Sequence, residues 1–119
     1  MNDILQRIGE LGIVPVVKLD KASDALPLGK ALLEGELPIA EVTFRTDAAE
    51  ESIRIMSREL PELLVGAGTV LTRDQVKKAV DAGAKFIVTP GFNPSVVDYC
   101  VEHNIPITPG INSPSQIEM

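Results

Sequence analysis

Five short apolar, β-branched runs alternate along the chain with segments of helical periodicity. The runs are GIVPVVKL (12–19), PIAEVTFR (38–45), ELLVGAGTV (62–70), AKFIVTP (84–90) and IPITPGI (105–111). The helical segments between them are KASDALPLGKALLEG, DAAEESIRIMSREL, TRDQVKKAVDAG and PSVVDYCVEHN. Their apolar residues recur at helical spacings, as Val76, Ala79 and Val80 do. Glu50 and Asp74 fall in first turns, and Gly35 and Gly83 stand where left-handed helix ends are expected. An amphipathic helix capped by Asn2 or Asp3 is predicted within MNDILQRIGELG. Strands alternating with helices in this way pair in parallel through right-handed crossovers.

Two architectures satisfy that alternation. A doubly wound, flavodoxin-like sheet of five strands is complete near the length of this 119-residue chain. A (β/α)8 barrel needs ~200 residues at the least. The second run separates them. Ala40, Val42 and Phe44 fall on one strand face, and Ile39, Glu41, Thr43 and Arg45 on the other. Central strands of a doubly wound sheet are covered on both faces and read apolar throughout. In a barrel the polar face lines the lumen and opens at the C-terminal mouth, where active sites sit. Val65, Ala67 and Thr69 likewise share a face that ends polar. The expectation is a parallel (β/α)8 TIM barrel, of which this chain supplies an N-terminal helix and about the first five strands. The loops TPGFNPS (89–95) and TPGINSPS (108–115) are near copies. Each is a well-made strand-to-helix turn, and their likeness fits units repeated around an axis. SPSQIEM opens a helix with Ser113 as cap and Pro114 in the first turn, then stops. A lone turn carries the nucleation cost for little hydrogen bonding. Residues 1–119 therefore read as one domain, the N-terminal five-eighths of a barrel.

The formal net charge of −6 argues against nucleic acid or an anionic membrane surface as partner. It also requires a local cation wherever an anionic substrate binds. Cys100 stands alone, which excludes a disulfide framework and suits a reducing, cytoplasmic setting. The N-terminus carries acidic residues and no long apolar run, unlike a signal peptide or a membrane span. No Cys/His cluster points to a metal, and nothing calls for a cofactor.

Glu41 is the foremost candidate for chemistry. A carboxylate in an aliphatic lumen has its charged form disfavoured, which raises its pKa toward the range useful for proton transfer. Paired with Arg45 it would be an ordinary strand carboxylate. At ~13 Å along an extended strand, however, Arg45 better suits an anion clamp at the other end of a small substrate. GAGTV (66–70) lacks the Gly-x-Gly-x-x-Gly and Walker patterns, so Gly66 and Gly68 read as aids to close strand–helix packing. Thr69 offers a hydroxyl at the mouth. Lys18, toward the end of the first strand, could reach the mouth as a second anion contact. Lys85 opens the fourth strand, at the wrong end for a Schiff-base nucleophile. His103 at a helix C-terminus and Cys100 facing the core read as structural.

The segments EVTFRT, VGAGTVLT, FIVTPGFNP and IPITPGINSPSQIEM, in this order and spacing, closely resemble the 2-keto-3-deoxy-6-phosphogluconate (KDPG) / 4-hydroxy-2-oxoglutarate (KHG) aldolase family over nearly the whole chain. The resemblance implies a TIM barrel, a homotrimer and a metal-independent class I aldolase that cleaves a small 2-keto-4-hydroxy acid to pyruvate and an aldehyde. By the same resemblance Glu41 matches the general acid/base, Arg45 the residue binding the pyruvyl carboxylate, and Thr69 a substrate-contacting hydroxyl. The family's Schiff-base lysine lies on the sixth strand, and its phosphate site in later loops. Neither is among these residues, so the chain alone is expected to be inactive. The alternatives are a truncated fragment acting as a scaffold or assembly module, another pyruvate- or phosphate-using barrel, and a flavodoxin-like binding domain.

Overall fold

The computed structural model describes residues 2–119. Strands β1 (Val16–Val17), β2 (Ile39–Thr43), β3 (Leu64–Gly68), β4 (Ile87–Thr89) and β5 (Ile107–Pro109) form one sheet in the order β1-β2-β3-β4-β5. Every pairing is parallel. The helices are α1 (Asn2–Leu11), α2 (Ala25–Glu34), α3 (Ala49–Glu59), α4 (Arg73–Ala82), α5 (Pro94–Glu102) and α6 (Pro114–Glu118), with a 3-10 turn at Ala22–Asp24.

The strand order decides between the two architectures. Each right-handed crossover advances in one direction, so the connecting helices all fall on one face. A doubly wound sheet must reverse direction to cover its second face. Here no reversal occurs, and the result is a section of barrel wall. On the helix side, Val42, Val65, Ala67 and Ile87 pack with Ile53, Met56, Val76, Ala79, Val96 and Cys100 in one cluster. Ile53 and Met56 are wholly buried, and removing each side chain from water contributes roughly 1.5–3 kcal/mol. Ile39 and Phe86 are just as buried but lie outside that cluster, on the lumen face.

The register corrects the expected facing of β3. Glu41 pairs with Gly66, Val42 with Ala67 and Thr43 with Gly68, and paired residues of parallel strands point the same way. Val65 and Ala67 therefore face the helices, while Gly66 and Gly68 face the lumen. The glycines do not serve strand–helix packing; they lie on the opposite side. A run of Val, Gly and Ala carries too little polarity contrast to reveal its own facing.

Local signals account for several helix ends. Thr72 Oγ1 accepts from Gln75 N (3.1 Å), Asn93 Oδ1 from Ser95 N (3.1 Å) and Ser113 Oγ from Gln116 N (3.4 Å). Gly83 ends α4 at φ +113, and a Cβ there would collide with Ser57 Oγ. Gly35 does not take the left-handed role: its φ is −79°, and Glu36 adopts φ +61 instead. The two similar loops are also offset. Thr89 pairs with Pro109, not with Thr108. Thr89 thus turns to the helix side, 3% exposed and donating to Gly91 O (2.7 Å), whereas Thr108 lies exposed on the lumen side.

Candidate active site

The lumen face is lined by Val16 from β1, Ile39, Glu41 and Thr43 from β2, Gly66 and Gly68 from β3, Phe86 just before β4, and Val88 from β4. Glu41 is its one carboxylate, only 8% exposed. Its side chain leans across β3, since a Cβ added to Gly68 would lie 1.8 Å from Glu41 Oε1. The Phe86 ring leans in from the other side, and a Cβ on Gly66 would meet it at 2.3 Å. Side chains from β2 and β4 thus converge over a track of β3 that carries none. Among the described residues no hydrogen-bond donor reaches the Glu41 carboxylate. Burial pushes its pKa up, and the charge of Arg45 partly opposes this. The group is a poorly solvated carboxyl with no fixed partner, suited to gaining and losing a proton.

The C-terminal end of β2 is tied firmly to β1. Thr43 Oγ1 donates to Val17 O (3.0 Å), and Thr46 Oγ1 donates to Leu19 O. Beyond Thr43 the chain turns, bringing Arg45 to the rim. Arg45 is exposed and makes no ion pair among the described residues. It lines an open cleft of ≈ 290 Å³ on the helix side, together with Asp47, Ala49 and Glu50 at the start of α3 and Gln75 and Lys78 of α4.

Thr69 follows β3 with φ +54, an uncommon conformation for a β-branched residue. Strict alternation would carry Val70 over the lumen after Gly66 and Gly68. Instead Val70 is 1% exposed and belongs to the helix-side cluster. The left-handed turn at Thr69 therefore carries Val70 to the helix side, and Thr69 itself is half-buried. Strain of this kind costs on the order of 1–3 kcal/mol and gathers at functional sites.

Lys18, two residues beyond Val16 on the same strand side, is exposed and paired with Asp20 at 3.2 Å. Lys85 lies at the opposite end, just before β4. His103 Nδ1 sits 2.8 Å from Tyr99 O at the end of α5, with its ring stacked on Tyr99. Cys100 is wholly buried on the core side of α5. Among the described residues no three His, Cys, Asp or Glu side chains gather as a metal site, and no helix is long and apolar enough to cross a membrane. Arg45 and Thr69 thus follow the C-terminal ends of β2 and β3, while Lys18 follows β1 on the lumen side and pairs with the exposed Asp20. Sequence reasoning missed Gly68 and Phe86. The signal was available only in pairing Gly-x-Gly of one strand with Glu-x-Thr of its neighbour.

Comparison with known proteins places this geometry. The family described as KDPG and KHG aldolase matches residues 4–119. A 2-dehydro-3-deoxy-phosphogluconate aldolase of Haemophilus influenzae is 49% identical over 118 residues, which is 99% of this chain and 56% of the relative. The crystal structure of the 2-keto-3-deoxy-6-phosphogluconate aldolase of Zymomonas mobilis ZM4 with 3-phosphoglycerate aligns with a TM-score of 0.92 at 35% identity, over 99% of this chain and 56% of that one. The KDPG aldolase of Legionella pneumophila, with pyruvate captured at low pH as a covalent carbinolamine intermediate, aligns at 0.84 and 36% identity, over 88% and 51%. The chain thus spans about half the length of the curated relatives it matches. Its parallel sheet is that of TIM-barrel aldolases. With 116 consecutive positions matched (residues 4–119), the chain belongs to the KDPG and KHG aldolase family.

Proposed function

We propose that these residues form the front part of a class I aldolase, carrying its acid/base and carboxylate-binding groups. The reaction is cleavage of 2-keto-3-deoxy-6-phosphogluconate to pyruvate and glyceraldehyde 3-phosphate, of 4-hydroxy-2-oxoglutarate to pyruvate and glyoxylate, or both. The observation that carries this reading is Glu41, a buried lumen carboxyl with a raised pKa, no donor of its own and an unpaired guanidinium beyond it. Arg45 holds the pyruvyl carboxylate, and Thr69 donates to a substrate oxygen. With the 2-keto group held as an iminium on a lysine supplied from outside these residues, Glu41 takes the proton of the C4 hydroxyl. The C3–C4 bond then breaks, its electron pair flows into the iminium, and the aldehyde leaves. The resulting enamine regains a proton at C3 from the same carboxyl, and water releases pyruvate. Position-specific proton transfer of this kind contributes about 10²–10⁴-fold.

The complete enzyme is proposed to be a cytoplasmic homotrimer needing no cofactor. The test joins the chain to the remainder of the Haemophilus relative, fused or co-expressed, and measures pyruvate release. Turnover that falls at least a hundredfold in Glu41→Gln, with pyruvate still trapped by borohydride, supports the assignment. Unchanged turnover rejects it. A second reading, an assembly module without turnover, draws on the open sheet margins, where Val16 is 60% exposed on β1. That reading predicts concentration-dependent self-association and no pyruvate release after complementation.

A further inference from the structure

The space left by the missing side chain of Gly68 is occupied, and the occupant is the candidate acid/base. A Cβ at Gly68 would lie 1.8 Å from Glu41 Oε1 and 2.7 Å from its carboxyl carbon, distances that side chains cannot share. Backbone demand does not account for the glycine, because its φ is not in the left-handed region. Gly66, two residues earlier on the same face, has a different tenant: the Phe86 ring, 1% exposed and fixed in the lumen floor. No hydrogen bond from the described residues holds the Glu41 carboxylate, so contact with β3 is what places it. The following residue, Thr69, takes a left-handed conformation, and Val70 joins the helix-side cluster instead of the lumen face.

We propose that Gly68 is a positioning residue: its absent side chain is the seat that holds the Glu41 carboxylate against β3. The consequence for turnover rests on the reading of Glu41 as acid/base; the seat itself does not. The clash at Gly68 is with the flexible end of a side chain, so a methyl group there displaces the carboxylate and spares the fold. At Gly66 the clash is with a packed ring, so a methyl group there strains the fold and spares the carboxylate. Among the described residues the charged group that acts on Glu41 is Arg45. Lys18, on the neighbouring strand, is paired with Asp20, and β3 and β4 contribute no charge to this face.

The test is a carbon-13 carboxyl titration of the chain labelled at glutamate, with the Glu41 signal assigned by its loss in Glu41→Gln. Gly68→Ala is expected to move the Glu41 midpoint downward, as the carboxylate swings into water, whereas Gly66→Ala lowers Tm and leaves that midpoint in place. An unchanged Glu41 midpoint in Gly68→Ala overturns the proposal. Should Gly68→Ala fold poorly, the double variant Gly68→Ala/Glu41→Ala has room for the methyl and recovers Tm relative to Gly68→Ala alone. A double variant no more stable than Gly68→Ala likewise overturns the seat. In complemented enzyme, Gly68→Ala slows turnover in the parent but adds no further loss to Glu41→Gln. Because the titration needs no turnover, an inactive enzyme rejects the acid/base reading without touching the seat, and an unmoved midpoint does the reverse.

Discussion

The lumen floor makes a prediction whose sign depends on a single ring. Gly66 is packed under Phe86, with three ring carbons between 2.3 and 2.5 Å from where a Cβ would stand. Gly66→Ala in the parent chain therefore overpacks a buried aromatic, at a cost of about 1–3 kcal/mol. The lower entropy of the unfolded alanine chain offsets about 0.4–1 kcal/mol of it, leaving a net loss of about 1–2 kcal/mol. Phe86→Ala alone removes a ring that is 1% exposed, for a loss of about 3–5 kcal/mol. In that background the obstruction is gone, and the methyl at position 66 enters the cavity. Burying it contributes about 0.8 kcal/mol, and the unfolded-state gain adds to this. Gly66→Ala should then stabilise by about 1–2 kcal/mol, a coupling between the two positions of roughly 2–4 kcal/mol. Urea unfolding followed by far-UV circular dichroism reads all four variants. If Gly66→Ala costs the same with and without the ring, the facing of β3 described above is wrong.

Three further perturbations follow from the same contacts. Burial raises the native pKa of Glu41, so the native state holds that proton more tightly than the unfolded chain does. The charged form therefore lowers stability progressively as pH rises from the ordinary carboxylate value through the raised native one. Glu41→Gln should accordingly raise Tm at neutral pH but not below the ordinary carboxylate value, and an equal gain at both would contradict the burial argument. Thr72→Ala removes the side-chain acceptor of Gln75 N and should lose about 1 kcal/mol by urea midpoint. Thr69→Gly relieves a left-handed β-branched residue, on the order of 1–3 kcal/mol, against about 0.5–1 kcal/mol of added unfolded-state entropy. It should be neutral or stabilising in a thermal melt, whereas Thr43→Gly in the adjoining strand should be clearly destabilising.

Much of this architecture could be read along the chain because it depends on local periodicity. The alternation of β-branched runs with amphipathic segments located all five strands, and Glu41, Thr43 and Arg45 identified the face that cannot be buried under helices. Boundaries were less legible. The run at 12–19 pairs only at Val16–Val17, because strand ends depend on a partner's length and not on local propensity. The facing of β3 was misread because Val65, Gly66, Ala67 and Gly68 offer almost no polarity contrast; register with β2 decides it. Thr89 and Thr108 occupy the same place in two similar loops yet end on opposite faces, since a one-residue offset between strands reverses facing. The Gly68 seat escaped for a related reason: it is a relation between two strands separated by a helix. The expectation of Arg45 as an anion clamp rested on its charge and on an extended strand, whereas the chain turns after Thr43.

In the proposed aldolase these residues hold the acid/base carboxyl and the anion clamp, while the amine that binds the keto group lies outside them. Incubation with pyruvate, reduction with borohydride and intact-mass measurement test it directly, with the Legionella aldolase as the trapping control. An unmodified 119-residue chain is expected, and an adduct only once the remaining strands are supplied. A reduced pyruvate adduct on the chain by itself, at Lys18 or any other of its lysines, would contradict it.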